Sequence, residues 1–133
     1  MKDCIFCKII RGDIPSYKVF ENENTLAFLD VQPIARYHTL IIPKEHYENF
    51  YDIPEDLNNA VFKTAKQVAK LYSDKLGIDN LQLFHNAGPL TLQSVFHFHL
   101  HLIPRTEEDK HQFSLKIRTD LADQLPLMLE KLK

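Results

Sequence analysis

The chain has 133 residues, enough for one domain (residues 1–133) to bury a core without disulfide staples. With 44% hydrophobic, 11% aromatic and 26% charged residues it has an ordinary globular composition. Sixteen basic against eighteen acidic side chains leave a net charge of −2 with no block of like charge. That argues against a nucleic-acid coat protein and leaves room for one small phosphate ligand held by local groups.

In chain order, residues 5–10 suit a short helix that stops near Gly12. Residues 17–20 and 25–29 suit two strands around the polar turn Glu21-Asn22-Glu23-Asn24. Residues 39–42, ended by Pro43, suit a third. A long amphipathic helix follows, with Leu57, Ala60, Val61, Thr64, Ala65, Val68, Leu71, Tyr72 and Leu76 at three- and four-residue steps. Pro54 fits its first turn and Gly77 the residue past its end. Strands are expected over 81–86 and 95–103, then a helix within 121–132 that breaks or starts late at Pro126. The sum is an α+β fold, a mainly antiparallel sheet of about five strands packed on one long helix plus a C-terminal helix.

No apolar run approaches the ~20 residues of a membrane span, so no membrane partner is expected. Met1-Lys2-Asp3-Cys4 opens no secretory signal, and two cysteines make no disulfide framework, which favours a reducing cytoplasm.

Histidine usage is the unusual feature: seven residues, three of them alternating as His97-Phe98-His99-Leu100-His101-Leu102-Ile103. Side chains two apart on a strand share a face, at ~6.6 Å per step. Phe96, Phe98, Leu100 and Leu102 are therefore expected to pack on the long helix, and the three histidines to project together from the other face. The apolar face fixes the register, because a one-residue slip would expose all four groups. Such a row suits either a nucleophile with its helpers or a metal-ligand set completed from elsewhere.

The run resembles the signature of the histidine triad (HIT) superfamily. Further matches in order are Cys4-Ile5-Phe6-Cys7-Lys8-Ile9-Ile10, Phe28-Leu29-Asp30, the stretch from His38 through Pro43-Lys44-Glu45-His46, Asn86-Ala87-Gly88 and Ile103-Pro104-Arg105. His101 is similar to the hydrolase branches; the nucleotidyltransferase branch usually has glutamine there. The resemblance implies a nucleotide hydrolase in which His99 attacks the α-phosphorus, giving a nucleotidyl-histidine that water cleaves. His101 and His38 would assist at the phosphate, and His97 would complete the triad. Asp30 would bind the ribose hydroxyls, with Phe28 and Val31 walling the base pocket. Asn86, Gln93 and Ser94 would contact phosphate or leaving group, although turn chemistry alone also accounts for them. The implied substrates are nucleoside phosphoramidates, dinucleoside polyphosphates or related conjugates. The alternatives are a metal-dependent hydrolase and a non-catalytic nucleotide-binding module.

Cys4 and Cys7 are spaced as half of a zinc site, with no second Cys-x-x-Cys to complete it, and also read as two packed thiols. Family members of the Hint-like and bacterial branch that carry this pair imply a structural zinc held by Cys4, Cys7, His46 and His97. No organic cofactor is implied, and a two-fold homodimer is. Two departures stand out. Most relatives have glycine where this chain has Leu92, and after Arg105 the chain reads Thr106-Glu107-Glu108-Asp109-Lys110-His111 without the usual continuations.

Overall fold

In the computed structural model, which describes residues 3–109 and 115–133, Cys4 caps the first helix, α1 (Ile5–Arg11). Its Sγ accepts the Cys7 N–H at 3.4 Å, and Gly12 ends the helix at φ 84, a left-handed conformation that glycine enters without a Cβ clash. Strands β1 (Lys18–Glu21) and β2 (Thr25–Leu29) form a hairpin. Asn22 Oδ1 ties its turn by accepting the N–H groups of Asn24 and Thr25 at 3.0 and 2.8 Å. β3 (Thr39–Pro43) pairs with β2, and α2 (Glu55–Leu76) follows. Pro54 lies just before α2 rather than inside it, and Gly77 closes it at φ 67. β4 (Asn80–Phe84) and β5 (Leu100–Arg105) complete an antiparallel sheet of order β1-β2-β3-β5-β4. The expected α+β architecture and five strands are present.

Alternation along the strands sorts the core into two layers. Ala27, Ile41, Leu100 and Leu102 pack with Phe98 against Val61, Ala65, Val68 and Tyr72 of α2. Leu26, Phe28, Leu40 and Ile42 face the other way, against Phe6 of α1. Burial of each leucine-sized side chain stabilises this arrangement by roughly 1.5–3 kcal/mol. The register aligns Phe28 with Leu40, Leu40 with His101 and His101 with Phe84. His101 therefore stands in a cross-strand row on the α1 face, opposite α2.

Three expectations need correction. The last strand begins at Leu100 rather than residue 95, because the preceding backbone bonds elsewhere: Phe98 N–H donates to the Tyr47 carbonyl at 2.6 Å, and the His97 carbonyl accepts from the His99 ring. Phe96, beyond the strand, is consequently exposed, as is Leu76 at the end of α2. The C-terminal segment starts its helix late, as expected, with a 3₁₀ turn (Thr119–Gln124) leading into α3 (Leu125–Lys131) and Pro126 in its first turn; its packing is what differs. Leu125, Leu129 and Leu132 are exposed, so α3 does not bury an apolar stripe on the sheet. Lys110 and His111 lie outside the described residues, and no helix among those described is long and apolar enough to cross a membrane.

Candidate active site

A cavity of about 390 Å³ opens on the α1 face of the sheet, between the end of β2, α1 and the β4–β5 connection. Phe28, Asp30, Val31, Asn86, Ser94, His99 and His101 all line it. Three other sequence-predicted residues, His38, His97 and Gln93, are buried and stand behind this wall rather than in it.

Backbone groups fix the proton positions on the histidines. The Ile34 N–H donates to His38 Nδ1 at 3.1 Å, so neutral His38 carries its proton on Nε2. That Nε2–H faces His101 Nδ1 at 2.9 Å and Asp30 Oδ2 at 3.4 Å. His101, accepting at Nδ1, keeps its own proton on Nε2 as a donor for the cavity. His99 donates its Nδ1–H to the His97 carbonyl at 2.8 Å, which leaves the Nε2 lone pair free. His97 donates Nε2–H to the Pro43 carbonyl at 2.8 Å, which leaves its lone pair on Nδ1.

Burial favours these neutral forms. It is the largest cause lowering His99 and His38, and it pushes His101 down to about 3, helped by the neighbouring His99, His38 and His85. Phe6 packs edge-on against both His97 and His99, with centroids 5.9 and 5.2 Å apart, and excludes water from that side. Phe84 stacks on His101 at 4.4 Å. The site therefore offers a neutral, oriented imidazole nucleophile beside an imidazole N–H donor.

The four predicted zinc ligands converge. His97 Nδ1 lies 3.1 Å from His46 Nδ1, 3.4 Å from Cys4 Sγ and 3.6 Å from Cys7 Sγ, and Cys7 Sγ lies 3.4 Å from His46 Nδ1. A zinc tetrahedron with Zn–N near 2.0–2.1 Å and Zn–S near 2.3 Å has edges of about 3.3 Å between nitrogens and about 3.6 Å between nitrogen and sulfur. The donor set fits a closed Cys₂His₂ site.

Asp30, His38 and His101 also gather within 4.8 Å. An ion there would need a lone pair on His38 Nε2 and hence a proton on Nδ1, where the Ile34 N–H already donates. This second cluster fits a hydrogen-bond relay better than a metal site.

Sequence reasoning gave Gln93 a ligand contact, yet its amide is engaged with backbone groups of its own loop and of Glu48. Oε1 accepts the Gly88 N–H at 2.7 Å, and Nε2 donates to the carbonyls of Glu48 at 2.9 Å and Val95 at 3.2 Å. His85 is the residue that sequence reasoning missed. The Phe50 N–H donates to its Nε2 at 3.0 Å, its Nδ1–H donates to the His99 carbonyl at 3.0 Å, and its ring stacks on Phe98. A lone histidine at a strand end carries no sequence signal for such a role.

A model of the HIT domain matches residues 11–108. The chain belongs to the HIT family. This HIT chain is 46% identical over 104 residues to Protein hit of Bacillus subtilis, covering 78% of this chain and 72% of that protein. It is 43% identical over 105 residues to the adenosine 5′-monophosphoramidase of Saccharomyces cerevisiae, covering 79% of this chain and 64% of the yeast protein. Its fold matches the crystal structure of a HIT family member from Bacillus subtilis with a TM-score of 0.85 at 41% identity, over 98% of this chain and 92% of the other. A zinc-bound histidine triad family protein from Mycobacterium smegmatis matches with a TM-score of 0.79 at 31% identity, over 99% of each chain.

Proposed function

We propose that this HIT chain is a nucleotide hydrolase that works through a nucleotidyl-histidine on His99. The observation that carries the reading is the His99 ring: Nδ1 is held by the His97 carbonyl at 2.8 Å, so Nε2 has the lone pair in a cavity-lining, neutral imidazole. Nε2 attacks the α-phosphorus, forming an N–P bond as the bond to the leaving group breaks, and the leaving group takes up a proton from solvent that the later attack by water returns. Water then attacks phosphorus, the N–P bond breaks and the nucleoside monophosphate is released. His101 Nε2–H donates to the phosphoryl oxygens as charge builds on them. His38 positions His101 by donating to its Nδ1.

Asp30 in the β2-side wall binds the ribose hydroxyls, Phe28 and Val31 hold the base, and Asn86 and Ser94 meet the phosphate side. Gln93 braces the loop that carries them. Cys4, Cys7, His46 and His97 would hold a structural zinc whose four protein ligands leave no position to activate water. The yeast relative's activity and the zinc-bound neighbour both support this reading. A two-fold homodimer through the open edge of β4, beside exposed Phe50, Tyr51, Phe62 and Leu83, would join two sheets into one.

The test is turnover of adenosine 5′-phosphoramidate by wild type and His99→Ala, each with and without brief exposure to a chelator. Turnover that survives chelation and vanishes in the variant supports the reading. Turnover that tracks metal loading supports a metallohydrolase, and nucleotide binding without turnover a binding module.

A further inference from the structure

The backbone of His99 lies just outside the sheet. β5 begins at Leu100, and β4 ends at Phe84, opposite His101. Two residues further, the same register would set Asn86 opposite His99. β4 leaves that path instead, and Asn86 lines the cavity. The His99 carbonyl meets a side chain in place of a strand: the His85 ring, with Nδ1 at 3.0 Å.

The second bond of His85 decides which nitrogen carries its proton. The Phe50 N–H donates to Nε2 at 3.0 Å, so neutral His85 keeps its proton on Nδ1 and donates it to the His99 carbonyl. The ring is also held by its face, stacked on Phe98 with centroids 4.3 Å and planes 23° apart. Phe98 is itself pinned, its N–H donating to the Tyr47 carbonyl at 2.6 Å. The stretch 47–50 thus holds both the residue before His99 and the side chain that bonds the His99 carbonyl.

His99 is consequently fixed at two points. Its ring Nδ1–H donates to the His97 carbonyl at 2.8 Å, which sets the tautomer and the torsion of the imidazole. Its own carbonyl accepts from His85, which sets where its backbone stands relative to β4 and hence to Asn86 in the cavity wall. Attack at phosphorus needs the Nε2 lone pair in line, and a shift on the order of 1 Å in a reacting atom is costly in rate. His85 is half-buried behind the cavity, with both ring nitrogens engaged by backbone groups, so it acts through His99 and not on substrate.

We propose that His85 is a positioning residue for the nucleophile: the Nδ1–H it donates to the His99 carbonyl holds His99 in line for attack. This rests on the hydrolase reading above. Two variants separate the hydrogen bond from the ring. His85→Phe keeps an aromatic ring against Phe98 and removes the donor. His85→Asn places an amide N–H at the level of imidazole Nδ1 and removes the ring. With adenosine 5′-phosphoramidate as substrate, His85→Phe is expected to lower kcat by roughly 10-fold, the range of one neutral hydrogen bond, with KM within about two-fold of wild type. His85→Asn is expected to recover most of that kcat, although it loses the stack on Phe98. Undiminished kcat in His85→Phe, an equal fall in both variants, or a loss carried by KM overturns the His85 proposal and leaves the hydrolase reading standing. No turnover by wild type overturns the hydrolase reading, and this one with it.

Discussion

The His97 carbonyl accepts the His99 Nδ1–H at 2.8 Å, while the His97 ring turns away toward Cys4, Cys7 and His46. One residue thus belongs to the candidate zinc site by its side chain and to the candidate nucleophile by its backbone. The two sites are mechanically joined over a single peptide unit.

Loss of the zinc ligands should therefore reach the active site as well as stability. For protein purified without chelator we expect close to one zinc per chain; a few tenths or less would contradict the assignment. Cys7→Ser should lower the thermal midpoint by about 10 °C, the size expected when a tightly bound ligand of the folded state is lost. It should also reduce kcat as the His97 carbonyl loses its fixed position. Scanning calorimetry, metal analysis and steady-state kinetics on one preparation check all three.

His38 should act on rate more than on binding. With His38→Leu, His101 Nδ1 loses its 2.9 Å partner, and the proton on that ring is free to move to Nδ1, away from the cavity. We expect kcat to fall by roughly 10²-fold, as for loss of one oriented proton donor, with KM changed much less. An equal loss in the two parameters, or none, would count against the relay from Ile34 through His38 to His101.

The depressed histidines set the sign of the pH dependence. His101 is pushed from 6.5 to about 3, chiefly by burial. Between those values the unfolded chain binds a proton there that the folded chain refuses, so stability is full above 6.5 and is lost as pH falls toward 3. Denaturant midpoints should drop from about pH 7 to about pH 5, and the drop should be smaller in His101→Asn. A midpoint that rises on acidification would contradict the neutral assignment.

Much of this was legible in the sequence. Gly12 and Gly77 mark the ends of α1 and α2, and the apolar alternation that holds Phe98, Leu100 and Leu102 against α2 is plain in the residue pattern. At the candidate zinc site the pattern offered only Cys4 and Cys7, and the family resemblance supplied His46 and His97, which converge with them. What escaped lies in side-chain-to-backbone hydrogen bonds, which have no period. They shorten β5, draw Gln93 into its own loop, and bring His85 to the His99 carbonyl. Exposed Leu125 and Leu129 on α3 escaped for a different reason: an amphipathic pattern says that a face can be buried, not that this chain buries it.

Oligomeric state offers an independent check on the open β4 edge. Light scattering is expected to give a dimer mass for wild type and a monomer mass for Leu83→Glu, which places a charge on the exposed side of that strand. A monomeric wild type would remove the dimer from the account.

The central claim is that His99 Nε2 forms the bond to phosphorus. It is tested most directly by a denaturing quench at alkaline pH, where the N–P bond survives, of an adenosine 5′-phosphoramidate turnover within the first few cycles, followed by mass spectrometry of the protein without acidification. The account predicts an adenylyl group on the peptide containing His99, appearing and decaying at rates that match turnover and absent from His99→Ala. Turnover with no adduct, an adduct on another residue, or undiminished activity in His99→Ala would contradict it.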